Sequence, residues 1–271
     1  MGAPAGWQLG GNAPEAYERY IIPALFSGWA HDLVETAAIR AGERVLDVAC
    51  GTGVVARAAA PLVGETGQVI GVDVNEGTLA MARTVSPPPG AAIAWQQGDA
   101  AVLPFPEASF DVVLCQQGLQ YFPQRTAALQ EMARVLVPGG RLTLSVWRAL
   151  ERQPFFVALV AALESHLGPE VAALQRAAFT LGDAEELRGL VTAAGFRTPR
   201  IRLVVQLMRA GSLAEYLPGY LAATPMAGAV AALEDARRSV LFQELQTALR
   251  PYVDDTGLAV PMECHVVVAQ I

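Results

Sequence analysis

Between residues 44 and 147, five short apolar segments alternate with segments of helical periodicity, and this alternation constrains the fold more than any other feature. The predicted strands are 44–48, 68–72, 91–96, 110–115 and 141–147, and the predicted helices are 54–62, 76–84 and 125–136. Strands that alternate with helices pair in parallel through right-handed crossovers. The pattern therefore predicts an α/β protein with a doubly wound, mostly parallel sheet.

The flanking segments predict a division of the chain into four parts. Residues 1–12 are rich in small residues and are expected to form a tail, and helical spacing runs from 13 to 39. A sixth strand is expected at 201–207 and a last one at 263–271, with a helical segment between them that Pro218 and Pro225 should interrupt. We expect an N-terminal helical cap (1–40), a core (41–210), a helical lid insertion (211–256) and a last core strand (257–271).

The first predicted strand leads into a glycine turn, Gly51-Thr52-Gly53, at the start of a helix. Glycine there lets the backbone approach a ligand, and the helix N-terminus presents free N–H groups. Asp73 ends the second strand, 22 residues after Gly51, where a carboxylate can accept hydrogen bonds from both hydroxyls of a ribose. These features predict a nucleoside-bearing ligand at the carboxyl edge of the sheet.

Asp47, four residues before Gly51, distinguishes two classes of such ligand. The turn also fits the loose dinucleotide pattern G-x-G-x-x-G/A, which leaves a nicotinamide-dependent oxidoreductase as an alternative. A carboxylate at this place repels a pyrophosphate but suits a ligand with a sulfonium and an α-ammonium, as in S-adenosylmethionine. The alternative for Asp47 is a strand-end residue that accepts only local backbone N–H groups.

Four stretches carry a resemblance to a known family: VLDVACGTG, GVDVNEGTLAMAR, QGDAAVLPFPEASFDVVLC and MARVLVPGGRLTLSVW. They are similar to the successive motifs of class I S-adenosylmethionine-dependent methyltransferases, in the branch of ubiquinone/menaquinone-biosynthesis enzymes. The resemblance implies a seven-stranded sheet with an antiparallel last strand, S-adenosylmethionine as cofactor and S-adenosylhomocysteine as product. The cofactor residues that it implies are Tyr17, Asp47, Ala49, Gly51, Thr52, Gly53, Asp73, Val74, Asn75, Gly98, Asp99, Ala100, Gln116 and Gln117. Tyr17 has an alternative role as a core contact beside Ile21.

No catalytic base stands out in the sequence. His31, His166 and His265 are isolated and are read as structural, and no cluster has metal-ligand spacing, so no metal is predicted. Methyl transfer requires mainly alignment of the nucleophile with the donor, so a missing base does not oppose the assignment. The alternatives are a cofactor-binding protein or cyclase on the same fold that transfers no methyl group.

Composition limits the partners. The formal charge is −7 and the chain has no lysine, which opposes nucleic acid as a partner. The longest uncharged apolar run, 218–233, contains turn formers, and the N-terminus lacks a secretory pattern. We therefore expect a cytoplasmic, bacterial protein without stable membrane insertion, and a homo-oligomer remains open.

The methyl acceptor is expected to be a small, lipophilic or aromatic molecule. Segments 13–39, 151–180 and 211–256 carry large side chains that could roof an apolar pocket, and these are Trp29, Phe155, Phe156, Tyr216, Tyr220 and Met226. The alternative is that these side chains only pack the cap against the sheet.

Overall fold

A single twisted sheet forms the centre of the protein in the computed structural model, which describes residues 9–271. The strands are β1 (Arg44–Val48), β2 (Gln68–Asp73), β3 (Ile93–Gln97), β4 (Phe110–Gln116), β5 (Leu136–Trp147), β6 (Arg197–Ala210), β7 (Val253–Asp254) and β8 (Gly257–Gln270). Seven of them follow the order β3-β2-β1-β4-β5-β8-β6, and the two-residue β7 pairs only with β8. The predicted mostly parallel, doubly wound sheet is confirmed.

The direction of the strands positions a crevice. Strands β1 to β5 pair in parallel with one another, whereas β8 is antiparallel to both β5 and β6. The chain order reverses between β1 and β4, which lie side by side. In open α/β sheets, ligands bind outside the carboxyl ends of the strands at such a reversal.

Helices cover both faces of the sheet. They are α1 (Ala13–Ala16), α2 (Ser27–Thr36), α3 (Val54–Val63), α4 (Glu76–Thr84), α5 (Arg125–Val135), α6 (Pro154–Leu167), α7 (Pro169–Arg176), α8 (Ala184–Ala193), α9 (Leu213–Ala222), α10 (Ala227–Ala231) and α11 (Asp235–Leu249). One apolar cluster joins α2, α3, α6, α9 and α11 to the sheet, and a second joins α5 and α8 to it. Burial of these apolar side chains drives the layered packing.

The N-terminal segment departs from the predicted α-helical spacing. Tyr17–Phe26 is π-helical, with Pro23 inside it, and the N–H of Ser27 donates to the carbonyl oxygen of Ile22. Proline has no N–H to donate within the helix, and π-helical segments are frequent at functional sites. Of the tail predicted at 1–12, residues 1–8 lie outside the described residues.

The segment between β6 and β8 is helical, but its breaks differ from the prediction. Pro218 lies inside α9, which continues to Ala222, so the predicted interruption at Pro218 is wrong. The break follows at 223–226, where Pro225 does lie between helices. Pro218 falls in the middle of a ten-residue helix whose side chains Leu217 and Tyr220 are buried, and this packing outweighs the lost hydrogen bond. The division into cap, core and lid stays a prediction.

Within residues 9–271, no helix is both long enough and apolar enough to cross a lipid bilayer.

Candidate functional site

A cavity of about 370 Å³ opens at the carboxyl ends of β1, β2, β3 and β4 and extends under the helical segments. Its volume lies in the range of small-molecule sites, roughly 300–1,000 Å³. Thirteen of the fourteen predicted cofactor residues lie on its wall: Tyr17, Asp47, Ala49, Gly51, Thr52, Asp73, Val74, Asn75, Gly98, Asp99, Ala100, Gln116 and Gln117. The topology thus brings together residues that are up to 100 positions apart in the chain.

Gly53, the fourteenth, lies off the cavity wall and has a packing role instead. It precedes α3 with φ +90°, and a Cβ there would lie 2.2 Å from Cη2 of Trp95. Only glycine meets both requirements without strain or collision. Its N–H donates to the carbonyl oxygen of Cys50 at 2.8 Å, which closes the turn.

Asp47 is a buried carboxyl with half of its hydrogen-bonding capacity unused. The N–H of Ala56 donates to Oδ2 at 3.0 Å, whereas Oδ1 is buried without a partner. Burial, together with a smaller contribution from the nearby charge of Asp73, raises the pKa of Asp47 to about 8. A cationic or N–H-donating ligand group would supply the partner that Oδ1 lacks.

Asp73 organises the glycine turn from the end of β2. The N–H of Gly51 donates to its Oδ2 and the N–H of Asn75 to its Oδ1, both at 2.8 Å. Asn75 in turn caps α4 by accepting from the N–H of Gly77 at 2.8 Å. Burial raises the pKa of Asp73, while its backbone hydrogen bonds oppose that shift. Thr52 adds a second buried oxygen without a partner on the wall, its Oγ1.

The loop after β3 completes a cradle, which is the part of the cavity wall that the loops after β1, β2 and β3 form. The N–H of Ala101 donates to Oδ1 of Asp99 at 2.8 Å, which holds the loop after Gly98. Val74, from the loop after β2, lies on the wall and is 54% exposed. A carboxylate beside an exposed aliphatic side chain can bind a flat heterocycle by hydrogen bonding at its edge and apolar contact on its face.

Left-handed backbone occurs at two wall residues that are not glycine. Ala49 has φ +57° after β1, and Gln117 has φ +53° after β4. The N–H of Gln117 donates to the carbonyl oxygen of Ser145 at 2.9 Å and fixes that conformation. Such conformations persist only where the surrounding packing holds them, and they concentrate at ligand sites. Nothing in the sequence predicted either conformation.

The π-helical segment lies against the cradle through an ion pair. Glu18 and Arg57 approach to 2.6 Å, and each side chain is at most 14% exposed. Arg57 also donates to the carbonyl oxygen of Thr52 at 2.5 Å. Because charge-assisted bonds with little solvent are among the stronger ones, this contact holds Tyr17 at the cavity. Tyr17 lines the wall and also stacks on Phe26, and its role toward the cofactor stays a prediction.

Several further wall residues, which lie outside the loops after β1 to β4, were not predicted. They are Leu9, Ile21, Ile22, Leu25, Phe26, Trp147, Gln175 and Ala178. The apolar ones follow no pattern that separates a cavity wall from ordinary core, so sequence periodicity could not have identified them.

The predicted roof is corrected in part. Phe156 and Tyr220 line the cavity. The other four predicted roof residues are buried in the packing of the cap and lie off the wall: Trp29, Phe155, Tyr216 and Met226. Phe155, for example, stands edge-on to Tyr220 with ring centroids 5.1 Å apart. Helix faces that look equivalent in sequence turn toward the sheet or toward the cavity according to how the helices pack.

The charge of the described wall is one-sided. It contains three carboxyl groups, on Asp47, Asp73 and Asp99, and no arginine, lysine or histidine. The phenols of Tyr17 and Tyr220 also lie on the wall, and burial raises the pKa of both. These phenols therefore stay protonated near neutral pH and act as hydrogen-bond donors, not as bases.

The three histidines lie off the cavity wall. His31 Nδ1 is 2.8 Å from the carbonyl oxygen of Ser27, and His166 pairs with Glu244 at 2.7 Å. Nε2 of His265 lies 3.1 Å from the carbonyl oxygen of Gly182, and burial lowers the pKa of His265. A search of residues 9–271 finds no group of three His, Cys, Asp or Glu side chains that could hold a metal ion.

Known proteins share both sequence and fold with this chain. Residues 46–144 match the family described as a methyltransferase domain. The ubiquinone/menaquinone biosynthesis C-methyltransferase UbiE of Chromobacterium violaceum is 40% identical over 132 residues, which cover 47% of this chain and 53% of that protein. Its counterpart in Ectopseudomonas oleovorans is 44% identical over 115 residues, which cover 42% of this chain and 68% of that protein.

A solved structure shows the fold across nearly the whole chain. Phosphoethanolamine N-methyltransferase 2 of Haemonchus contortus, in complex with S-adenosyl-L-methionine, aligns with a TM-score of 0.56 at 18% identity, over 95% of this chain and 56% of that one. The chain spans about half the length of the first curated relatives that it matches. Together with the predicted motifs, these matches establish that the chain belongs to the class I S-adenosylmethionine-dependent methyltransferases, in the branch that contains UbiE.

Proposed function

We propose that the protein transfers a methyl group from S-adenosylmethionine to an O, N or C nucleophile of a small, neutral, lipophilic or aromatic metabolite. The observation that carries the proposal is the buried Oδ1 of Asp47, which lies on the cavity wall without a partner. It fits the α-ammonium of this cofactor, whereas the pyrophosphate of a nicotinamide cofactor has no cationic or N–H group to offer it, which disfavours the nicotinamide alternative.

The remaining cradle residues fit the other parts of the cofactor. Thr52 and the glycine turn would hold the methionine portion, Asp73 the ribose, and Asp99 with Val74 the adenine. When bound, the cofactor supplies an electrophilic methyl group on a sulfonium. The contribution of the protein would be to exclude water and to align the acceptor in line with that methyl group.

The wall also supports the class of acceptor. Three carboxyl groups without a cationic side chain in the described wall disfavour a phosphate or carboxylate on the acceptor, because nothing there neutralises it. The aromatic rings of Phe26, Trp147 and Phe156 favour an apolar or aromatic body. The relatives are named C-methyltransferases, which favours carbon as the acceptor atom. The family match covers residues 46–144 and does not include Phe26, Trp147 or Phe156.

Cofactor binding is tested by thermal unfolding and calorimetry with S-adenosylmethionine, S-adenosylhomocysteine and NAD(H). We expect both sulfur cofactors to stabilise the protein by about 2.7 kcal/mol at a hundredfold excess over Kd. Stabilisation by NAD(H) alone would contradict the proposal.

Methyl transfer is tested separately with a panel of neutral phenols, quinols and aromatic amines. Release of S-adenosylhomocysteine together with a mass gain of one methyl group in the acceptor supports the proposal. Conversion of a panel member without that release would favour the cyclase alternative.

A further inference from the structure

Gln175, on α7, is a polar side chain that the fold buries without satisfying it. The residue is 1% exposed, and its Oε1 has no hydrogen-bond partner. It nevertheless lies on the wall of the cavity, together with Phe156, Ala178 and Tyr220. A buried amide oxygen without a partner is costly, and an apolar side chain of the same size would avoid that cost.

Unpartnered buried polar atoms alone do not identify a ligand site in this protein. Thr143 on β5 has a fully buried Oγ1 without a partner, yet it lies off the cavity wall. Gln175 differs because its side chain meets a space that a ligand can enter. The two other wall residues with this property, Asp47 and Thr52, belong to the cofactor cradle.

Position separates Gln175 from that cradle. The cradle comes from the loops after β1, β2 and β3, whereas α7 follows β5 and lies outside the matched residues 46–144. Other wall residues from the helical segments are aromatic, among them Phe156 and Tyr220, whose ring centroids lie 6.4 Å apart. Gln175 therefore comes from a different part of the fold than the cradle does.

We propose that Gln175 selects the methyl acceptor by accepting, at Oε1, a hydrogen bond from a hydroxyl or N–H group of a neutral aromatic molecule. This inference rests on the proposed function. It narrows the expected acceptor from apolar molecules to apolar molecules that carry one hydrogen-bond donor. A molecule of the same shape without the donor leaves the buried oxygen unsatisfied and binds more weakly, which is how such sites discriminate.

The test compares two probes of nearly identical shape, indole and benzofuran, in which an N–H group is exchanged for an ether oxygen. Dissociation constants are measured by ligand-detected NMR titration of the full chain saturated with S-adenosylhomocysteine. We expect the wild-type protein to bind indole about tenfold more tightly than benzofuran. Gln175→Met should abolish this preference, and Gln175→Leu serves as a second variant with a shorter apolar side chain.

Thr143→Val provides the matched control, because it removes a buried, unpartnered oxygen away from the cavity. It should keep the preference for indole. The melting temperature of Gln175→Met without ligand should be unchanged or higher than that of the wild type, since an unsatisfied group is removed. If Gln175 had a purely structural role, Gln175→Met would instead have a lower melting temperature than the wild type.

Three results would overturn the proposal: no preference for indole in the wild-type protein, an unchanged preference in Gln175→Met and Gln175→Leu, or no binding of either probe. The titration of S-adenosylhomocysteine that precedes each measurement tests the proposed function independently. If S-adenosylhomocysteine does not bind, the proposed function is contradicted. If it binds normally and one of these three results is obtained, only the proposal for Gln175 is contradicted.

Discussion

The buried carboxyl of Asp47 predicts that cofactor binding releases a proton. The pKa of Asp47 in the free protein is about 8, so this side chain is largely protonated at neutral pH. An α-ammonium placed beside the unpartnered Oδ1 stabilises the charged form. Binding therefore requires ionisation, and the affinity should fall as the pH is lowered below 8.

The size of the effect follows from that pKa. Well below pH 8 the observed affinity changes about tenfold per pH unit, and it levels off as Asp47 becomes ionised. We expect S-adenosylhomocysteine to bind about 15- to 30-fold more weakly at pH 5.5 than at pH 7.0. This range lies below the pKa of an α-amino group, about 7.7–8.0, so the ligand keeps its charge.

Isothermal titration calorimetry in buffers of different ionisation enthalpy measures both the affinity and the number of protons released. No histidine lies on the described wall, so Asp47 and Asp73 are the wall groups with a raised pKa that could titrate in this window. Asp47→Asn should bind more weakly at pH 7.0 and show a much smaller dependence on pH. Equal affinity at pH 5.5 and 7.0 in the wild-type protein, with no proton released, would refute the reasoning.

The same pKa predicts an opposite effect on the free protein. Because the folded state holds the Asp47 proton more tightly than the unfolded chain, this group lowers the stability as the pH rises from about 4 to about 8. Relative to the wild type, Asp47→Asn should therefore gain up to about 1 kcal/mol of unfolding free energy per pH unit across that window. Urea unfolding without ligand measures this difference.

Three further predictions follow from the geometry. Gly53→Ala should lower the free energy of unfolding by more than the roughly 1–2 kcal/mol that left-handed backbone costs a residue with a Cβ, because its Cβ also collides with Trp95. Urea unfolding measures the loss, and a stability equal to that of the wild type would contradict the prediction. Asp73→Asn should weaken S-adenosylhomocysteine binding by roughly 1–2 kcal/mol, since the charged acceptor for the Gly51 and Asn75 N–H groups is lost. Calorimetry measures the affinity, and an affinity equal to that of the wild type would contradict the role of Asp73 in organising the glycine turn. Binding to duplex DNA or RNA should be negligible at physiological salt because of the net charge of −7, and a tight, steeply salt-dependent complex would show otherwise.

The sequence by itself determined the sheet and the residues that lie at the carboxyl ends of its parallel strands. Strand periodicity and glycine turns are local signals, so β1 to β5 were predictable to within a few residues at most of their ends. Parallel pairing then brings the carboxyl ends of β1 to β5 to one edge, which is why Asp47, Asp73 and Asp99 were expected together and lie on one wall.

Only the tertiary structure decided the part of the cavity wall that the helical segments form. The segment Tyr17–Phe26 is π-helical, and the Glu18–Arg57 ion pair, between residues 39 positions apart, joins it to α3. Long-range packing also turned Phe156 toward the cavity and its neighbour Phe155 into the core, although both are large apolar residues of one helix. The unsatisfied amide of Gln175 is invisible in sequence for the same reason: whether a polar side chain finds a partner depends on residues that only the fold brings near it.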